Sequence, residues 1–288
     1  MTVLRLPAAE YHAETGSDVP TLSSSIAVDL ITKTPAHAYL NHPKLNPSFG
    51  ATEEKKEWDL GTVVHSLLLE GYSIAHIVEG YDNWRTKDAQ DEGKHARSAG
   101  KIPMLRHEFD KASAMVDAAR EQIDSWNIDP PLLDAGQAEL TLRWDEGGVA
   151  CRCRPDWLRD DWLAVDDIKT ARTADPDYFS RKTVYEYGYD IKAAMYLRGI
   201  KAEFGVDARW RWIVVAKTAP YLVSVVEPSD EVLQVGNAKL DRALQMWREC
   251  LTTGMWPGYG PDTHIADLPV WQRRWIEEAL EEEAWATL

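Results

Sequence analysis

Apolar residues along the first part of the chain recur with the period of an α-helix. The pattern predicts helices over 26–34, 53–70 and 108–126, and the run Ser23-Ser24-Ser25 supplies a cap for the first of them. Residues 80–103 are polar and carry mixed charges, so we expect a mobile or partner-ordered loop there.

From residue 137 onward the period changes to two, which is typical of half-buried β-strands. Strands are predicted over 137–144, 149–158 and 162–169, with hairpin turns at 145–148 and 159–161. The other predicted elements are a helix over 187–204, strands over 210–216 and 221–226, a long helix from 228 to about 254 and an acidic helix over 277–288. The order is helix, three-strand meander, helix, two strands and helix, without internal repeats.

The composition of the 288-residue chain is that of an ordinary globular protein, with 44% hydrophobic and 27% charged residues. No apolar run approaches the roughly 20 residues of a membrane span, and the N-terminus lacks the features of a signal peptide. Three cysteines give no disulfide framework and too few ligands for an iron–sulfur cluster, so we expect Cys151 and Cys153 to be buried thiols. These features predict a cytoplasmic protein.

The net charge of −15 argues against a general nucleic-acid coat protein. The charge is unevenly distributed, because residues 139–217 contain 14 basic and 14 acidic residues and the rest of the chain carries the whole excess. If a metal covered some of these acids, the surface of this segment would be positive. The charge pattern therefore permits a local nucleic-acid site within 139–217.

Three residues near the end of the third predicted strand carry the candidate chemistry. Asp167 and Lys169 are two residues apart, so their side chains project from the same face of a strand. Asp156 lies eleven residues before Asp167, and a hairpin would bring the two carboxylates together. Such a group can hold a divalent metal and position a water beside a phosphate, although a surface hairpin with solvated acids has the same pattern. Asp166 points to the opposite face, and we expect a structural role for it.

His65 follows Gly61 by one helical turn, and a glycine there lets a backbone or a ligand approach the imidazole closely. A single histidine on such a helix is more often a satisfied core or surface residue than a ligand. It becomes a candidate ligand when its place in the chain is considered together with that of Asp156, Asp167 and Lys169.

Several short motifs follow one another along the chain in a definite order and spacing. They are Tyr11-His12, Leu22 to Ser25, Pro35-Ala36-His37, Gly61 to Glu70, Arg154-Pro155-Asp156, Asp167 to Thr170, Tyr187 to Tyr196, and Trp256 to Tyr259. Together they resemble the PD-(D/E)xK nuclease superfamily and, within it, the exonuclease VIII (RecE-like) group of phage and prophage exonucleases. The resemblance implies an α/β (α+β) fold with a restriction-endonuclease-like core. A mixed central sheet would be flanked by helices, with helical additions at both ends.

The resemblance also implies a division of the chain into parts and a set of metal ligands. One nuclease domain would span 1–288, with a lead-in over 1–50, a catalytic core over 53–226 and a C-terminal helical extension over 227–288. The implied ligands of Mg²⁺ or Mn²⁺ are the side chains of His65, Asp156 and Asp167 and the backbone carbonyl of Ile168.

Two further residues complete the catalytic set. The resemblance gives Lys169 the task of orienting the attacking water or stabilising the charged transition state, beside the catalytic carboxylates Asp156 and Asp167. Glu139, on the polar face of the first predicted strand, is a candidate outer or water-mediated metal contact. It is equally well interpreted as an exposed strand glutamate.

The candidate DNA-binding residues are Lys192, Tyr196, Arg154 and Thr170. The related proteins carry a glutamine four residues before the tyrosine of the helix motif, where this chain has Lys192. The spacing places Lys192 and Tyr196 on one face of a helix. A lysine can contact a DNA phosphate as a point charge, but it cannot accept a hydrogen bond as an amide does.

The function that the resemblance implies is a metal-dependent exodeoxyribonuclease. It would degrade linear double-stranded DNA from its ends, in the 5′ to 3′ direction, and expose single strands for recombination in the cytoplasm of a bacterial host. The implied partners are double-stranded DNA ends, a single-strand annealing recombinase and further copies of the chain in a ring, with no membrane. An endonuclease of the same superfamily and a non-catalytic DNA-binding or assembly protein are the alternatives. The 13 tryptophans fit either contacts between subunits or the core of one subunit.

Overall fold

The computed structural model describes residues 2–49 and 59–286, in which short strands and helices come first and the main sheet later. The first elements are β1 Thr2–Leu4, α1 Ala8–His12, α2 Ser24–Thr32, α3 Pro35–Leu40, α4 Asp59–Glu70, β2 Ala75–Val78, α5 Lys87–Ser98, β3 Ile102–Leu105 and α6 Arg106–Ser125. The predicted helix over 53–70 is therefore present from Asp59, and its first part, 53–58, lies outside the described residues.

The second half of the chain supplies the main sheet and its covering helices. Its elements are β4 Gly136–Ala138, β5 Thr141–Glu146, β6 Val149–Cys153, β7 Trp157–Arg159, β8 Ala164–Ala171, α7 Pro176–Tyr178, a π-helical turn Phe179–Thr183, α8 Val184–Glu186, α9 Tyr189–Phe204, β9 Arg209–Ala216, β10 Val223–Val226, α10 Asp230–Thr253 and α11 Val270–Ala286.

The chain forms two compact units, residues 1–256 and 257–288. The first contains every described element except α11. The second consists of α11 and the segment before it, and α11 begins seven residues earlier than the predicted helix over 277–288. Among the described residues, no helix combines the length and the apolar character that crossing a bilayer requires.

A five-stranded mixed sheet, in the order β10-β9-β8-β7-β4, forms the centre of the first unit. Only β8 and β9 are parallel, with Asp167 opposite Trp212, and the other neighbours are antiparallel. A three-stranded sheet, β1-β5-β6, and a parallel pair, β2-β3, lie outside it. The predicted mixed central sheet with flanking helices is confirmed.

The sheet separates two hydrophobic cores. Alternate residues of β9 face opposite sides, so Trp210 and Trp212 pack with α9 and α10, whereas Ile213 and Val215 pack with α4 and α6. Cys151 and Cys153 are buried in the first of these cores, as predicted. Both faces of the sheet are thus covered by hydrophobic cores.

The predicted strands over 137–144 and 149–158 are each wrong in one respect, because both are broken and change sheets. The break in the first follows Glu139, whose φ of 59° is left-handed, and β4 and β5 then belong to different sheets. The break in the second separates β6 from β7. The alternation of apolar and polar residues indicates which face of a strand is buried. It continues across a kink, so the sequence does not reveal that the chain passes from one sheet to the other.

The two broken strands meet where they are interrupted, because the backbone N–H of Glu139 donates to the carbonyl oxygen of Asp156 at 3.1 Å. Two candidate acids are therefore fixed beside each other by the backbone.

The predicted loop over 80–103 is also wrong, because it contains α5 and β3. Thr86 caps α5 by accepting a hydrogen bond from the backbone N–H of Ala89 at 3.3 Å. The buried face of α5 is made of Ala89, Gly93 and Ala96, which are too small to give a clear apolar stripe. Gly93 has no side chain because Trp84 packs there: an added Cβ would lie 2.9 Å from the indole ring.

A buried charged cluster links the N-terminal segment to β6. The side chain of Glu14 is fully buried, forms an ion pair with Arg152 of β6 and lies 3.0 Å from Nε2 of His42. The hydroxyl of Thr21 donates to Glu14 at 2.8 Å. Burial lowers the pKa of His42 to about 4, so this histidine is neutral at physiological pH.

Candidate active site

The strand β8 presents two neighbouring acids to opposite sides of the sheet. Asp167 is fully buried on the face that carries Lys169, and its side chain contacts the ammonium of that lysine. Asp166 faces away and is paired with Arg211 at 2.5 Å, while it accepts a hydrogen bond from the backbone N–H of Leu133 at 2.7 Å. The expected structural role of Asp166 is confirmed.

The side chain of Asp156 is hydrogen-bonded to the backbone of β8. Its Oδ2 accepts a hydrogen bond from the N–H of Ile168 at 2.9 Å, at the point where β7 begins its antiparallel pairing with β8. The hairpin therefore places Asp156 beside Asp167, as its spacing predicted.

His65 projects from α4 toward the same point. Its Nε2 lies 3.0 Å from Oδ2 of Asp156, and its Nδ1 lies 3.4 Å from Oε1 of Glu139. One ligand atom from each of His65, Glu139 and Asp156 lies within 4.8 Å of the other two. An imidazole and two carboxylates at this spacing fit a hard divalent cation of the Mg²⁺ or Mn²⁺ class.

Glu139 lies at this point because of the kink after β4, not because it is on the polar face of a continuous strand. Its second oxygen, Oε2, forms an ion pair with Nε of Arg154 at 2.7 Å, and Arg154 also donates to the carbonyl oxygen of Glu139 at 3.2 Å. Arg154 thus orients the carboxylate, which lies beside His65.

Two lysines hold Asp167. Lys192 of α9 lies 2.5 Å from one carboxylate oxygen of Asp167 and 3.6 Å from Asp156, and Lys169 contacts the other oxygen of Asp167. Lys169 also donates to the carbonyl oxygen of Ile168 at 3.3 Å. Of the predicted ligand set, His65 and Asp156 are grouped with Glu139, whereas Asp167 and the Ile168 carbonyl face the lysines.

Tyr196 lies one turn beyond Lys192 on α9, and its ring packs against the ammonium of that lysine. The ammonium of Lys192 is 5.1 Å from the centre of the tyrosine ring. Tyr196 is almost fully buried, and burial raises its pKa to about 12. Its position suits it to hold Lys192 in place and leaves little of its surface for contact with DNA.

Gly61 sets the distance between α4 and the sheet. A Cβ added to Gly61 would lie 2.9 Å from Oγ1 of Thr170 in β8. The close approach that the sequence predicted at Gly61 is therefore made by a strand side chain, and it brings His65, one turn along α4, toward Asp156.

Burial and neighbouring charges act against each other in this group. For His65, burial lowers the pKa, but Asp156 and Glu139 outweigh it and the net pKa is raised. For Asp156, burial opposes ionisation, but Lys192 and His65 hold the pKa well below its usual range. Burial, with the nearby charge of Asp156, raises the pKa of Glu139 to about 7.

The pKa values of the two lysines are shifted in opposite directions. Burial lowers the pKa of Lys169 in spite of Asp167, whereas Asp156 and Asp167 overcome the burial of Lys192 and raise its pKa well above the usual range. Lys192 therefore provides the permanent positive charge of the group.

All the predicted site residues except Asp167 line one open cleft of about 970 Å³. One wall of the cleft comes from residues 172–189, where the sequence predicted no ligand contact. The wall residues that it missed are Arg172, Tyr178, Lys182, Tyr187 and Tyr189. The signal that was available is the density of aromatic and basic residues between 172 and 189.

Comparisons with known proteins show the family and the fold of the chain. A family model described as a PDDEXK-like domain of unknown function (DUF3799) matches residues 23–266. The crystal structure of a "putative exonuclease" from Eubacterium rectale is similar with a TM-score of 0.62 at 15% identity, covering 93% of this chain and 96% of that one. That likeness shows the fold.

A phage-related exonuclease from Haemophilus somnus 129PT gives a TM-score of 0.32 at 10% identity, over 82% of this chain and 96% of that one, which is too low to support an argument. No curated protein matches the sequence.

Proposed function

Because this chain belongs to the PDDEXK-like family, and so to the PD-(D/E)xK nuclease superfamily that its motifs resemble, we propose that it is a metal-dependent exodeoxyribonuclease. The observation that carries the proposal is the convergence of His65, Glu139 and Asp156 on one point, beside Asp167 and Lys169, in a cleft open to a large ligand. A fold of this class hosts many functions, so the proposal rests on the site.

The metal would be held by His65, Asp156 and Glu139, with Asp167 adjacent. The oxygen-rich donor set favours Mg²⁺, and the imidazole is better tolerated by Mn²⁺. When bound, the ion supplies a water of lowered pKa and offsets charge on the scissile phosphate.

The remaining side chains act by position and charge. Lys169 contacts Asp167 and lines the cleft with a partly exposed side chain, so its amine can orient a water or donate to a phosphate oxygen. Lys192 keeps its charge and balances Asp156 and Asp167, while Arg154 orients the carboxylate of Glu139. Charged donors preorganised in a partly desolvated site stabilise charge that develops in the transition state.

Degradation from the ends of linear double-stranded DNA, in the 5′ to 3′ direction, is the finer part of the proposal. It is supported by the resemblance of the motifs to the exonuclease VIII group and by the fold shared with the protein from Eubacterium rectale. The same resemblance supports a single-strand annealing recombinase as partner, assembly as a ring, and a place in the bacterial cytoplasm.

An endonuclease of the same superfamily is the second candidate, since the site chemistry is the same. A non-catalytic DNA-binding protein is disfavoured, because such a protein has no need of Asp156, Asp167 and Lys169 together.

The test is digestion of end-labelled linear duplex DNA by the full chain, with Mg²⁺, with Mn²⁺ and with a chelator. We expect metal-dependent release of nucleotides from linear DNA and none from covalently closed circular DNA. Cutting of the closed circle would establish the endonuclease instead. Retention of activity by Lys169→Ala would contradict the proposed site.

A further inference from the structure

Three aromatic rings form a stack along the wall of the cleft. The rings of Tyr187 and Tyr189 lie 5.7 Å apart at 23°, and those of Tyr189 and Phe179 lie 6.0 Å apart at 28°. Side chains two residues apart do not face each other in a helix. Gly188 allows the stack, since its φ of 64° is left-handed and turns the chain between the two tyrosines.

The stack is anchored at one end and open at the other. Phe179 is 1% exposed and packs edge-on against Trp212 of the main sheet, with ring centres 5.7 Å apart. Tyr187 is 57% exposed. A rigid ring that is supported from behind and open in front loses little conformational entropy when another flat ring stacks on it.

Two cations lie at Tyr178, the residue before Phe179 of the stack. The guanidinium of Arg172 and the ammonium of Lys182 lie 5.5 Å and 5.4 Å from the ring centre of Tyr178, and both donate hydrogen bonds to its hydroxyl. Within residues 2–49 and 59–286, neither cation lies within ion-pair distance of a carboxylate. Lys182 lies in the π-helical turn, a geometry that is frequent at functional sites.

The stack reaches the catalytic group. The ammonium of Lys169 lies 4.9 Å from the ring centre of Tyr189, and Tyr178, Tyr187 and Lys182 line the same cleft as His65. A nucleotide with its base on Tyr187 would therefore lie on the path between solvent and the candidate metal site.

We propose that this wall is a binding site for an unpaired nucleotide of the DNA substrate, with its base stacked on Tyr187 and a neighbouring phosphate between Arg172 and Lys182. The inference rests on the proposed function and extends it, because a site for an unpaired base requires that the end of the duplex be opened before cleavage. Stacking on an aromatic ring tolerates every base, which suits an enzyme without sequence preference.

The experiment measures binding without cleavage, by the full chain in the presence of a chelator. The probes are a fluorescent oligothymidylate of about 12 nucleotides and an abasic oligomer of the same length. We expect the wild type to prefer the oligothymidylate. Tyr187→Ala should raise the Kd for the oligothymidylate about tenfold and leave that for the abasic oligomer nearly unchanged. Tyr187→Phe should retain the preference.

Tyr185→Ala is the matched control, because Tyr185 is also an exposed tyrosine of this segment, at 43%, but contacts Lys239 instead of the stack. It should leave the preference unchanged. Arg172→Ala and Lys182→Ala should weaken binding of both oligomers equally and reduce the dependence of log Kd on log salt by about 0.7 each.

Equal binding of the two oligomers by the wild type, or equal weakening of both by Tyr187→Ala, would overturn the inference. Failure of the proposed function would look different. In that case the wild type would release no nucleotides from linear duplex with Mg²⁺ or Mn²⁺, whatever its preference between the two oligomers.

Discussion

At the scale of single residues, two adjacent acids of β8 have opposite surroundings. Asp167 faces the candidate site and its lysines, whereas Asp166 is buried on the other side of the sheet against Arg211. The two positions have the same chemistry and differ only in the face of the strand, so substitutions at them separate catalysis from stability.

We predict that Asp167→Asn lowers the rate of nucleotide release at least about 100-fold, because a site charge worth several kcal/mol of barrier is lost. Asp166→Asn should instead destabilise the fold by about 3–5 kcal/mol, because it leaves Arg211 buried without its charge partner. The measurements are initial rates per folded molecule and denaturant unfolding. Wild-type rates for folded Asp167→Asn would contradict the assignment of the site.

The protonation of Glu139 and His65 leads to a second prediction, on the pH dependence of metal binding. Burial and Asp156 raise the pKa of Glu139 to about 7, and its carboxylate neighbours raise that of His65. A metal needs a charged carboxylate and a neutral imidazole, so binding must release protons. Affinity should therefore increase as the pH rises through about 7, and below that it should fall about tenfold per pH unit for each proton released.

Calorimetric titration with Mn²⁺ in buffers of different ionisation enthalpy measures the number of protons released. Glu139→Gln removes one of the titrating groups and should flatten the dependence on pH. A pH-independent affinity in the wild type would show that the protons of these residues do not compete with the metal.

At the scale of elements, the contact between α4 and β8 fixes the position of His65. We predict that Gly61→Ala weakens Mn²⁺ binding about tenfold or more, because the new methyl group meets Oγ1 of Thr170 at 2.9 Å and pushes α4 outward. The change acts against helix propensity, which favours alanine over glycine by about 1 kcal/mol.

Thr170→Ala removes the obstructing oxygen and provides the control. The double variant should recover most of the metal affinity, whereas Thr170→Ala alone should change it little. If Gly61→Ala binds Mn²⁺ like the wild type, the approach of α4 to β8 does not set the geometry of the site.

The elements also show how far the sequence predicts this fold. Long periodic segments are predicted well: α10 begins after Ser229, whose side chain accepts from the N–H of Val232, and it ends at the left-handed Gly254. The helix α5 is missed because its buried face is made of alanine and glycine. The breaks after β4 and β6 are missed because alternation continues across a change of sheet.

The same limits apply to the candidate site. The grouping of Asp156, Asp167 and Lys169 follows from strand alternation and a hairpin, which are local. The place of Glu139 depends on a backbone kink, and that of the Tyr187 stack depends on a left-handed glycine. Both are fixed by tertiary packing, which a single sequence does not reveal.

At the scale of the whole molecule, the tryptophans divide between the interior and the surface. Trp210, Trp212 and Trp247 are fully buried in the first unit, so the core of one subunit accounts for them. Trp275 of α11 is 68% exposed. The ring predicted from the resemblance therefore cannot be inferred from the number of tryptophans.

A ring remains a prediction, with a direct test. Light scattering at working concentrations should give a multiple of the mass of one chain, and digestion of linear DNA should be processive, since a ring that encloses the duplex cannot easily dissociate. A monomer that digests distributively would exclude the ring and would leave the nuclease proposal in place.

The lysines beside Asp167 bear on the order in which the reactants assemble. A site of bare carboxylates repels a DNA phosphate until a cation arrives, and metal must then bind first. Here Lys192 and Lys169 already compensate Asp156 and Asp167. On the proposed function, we therefore expect DNA to enter the cleft before the metal, so that the protein would wait on a DNA end and the arrival of the ion would set the moment of cleavage.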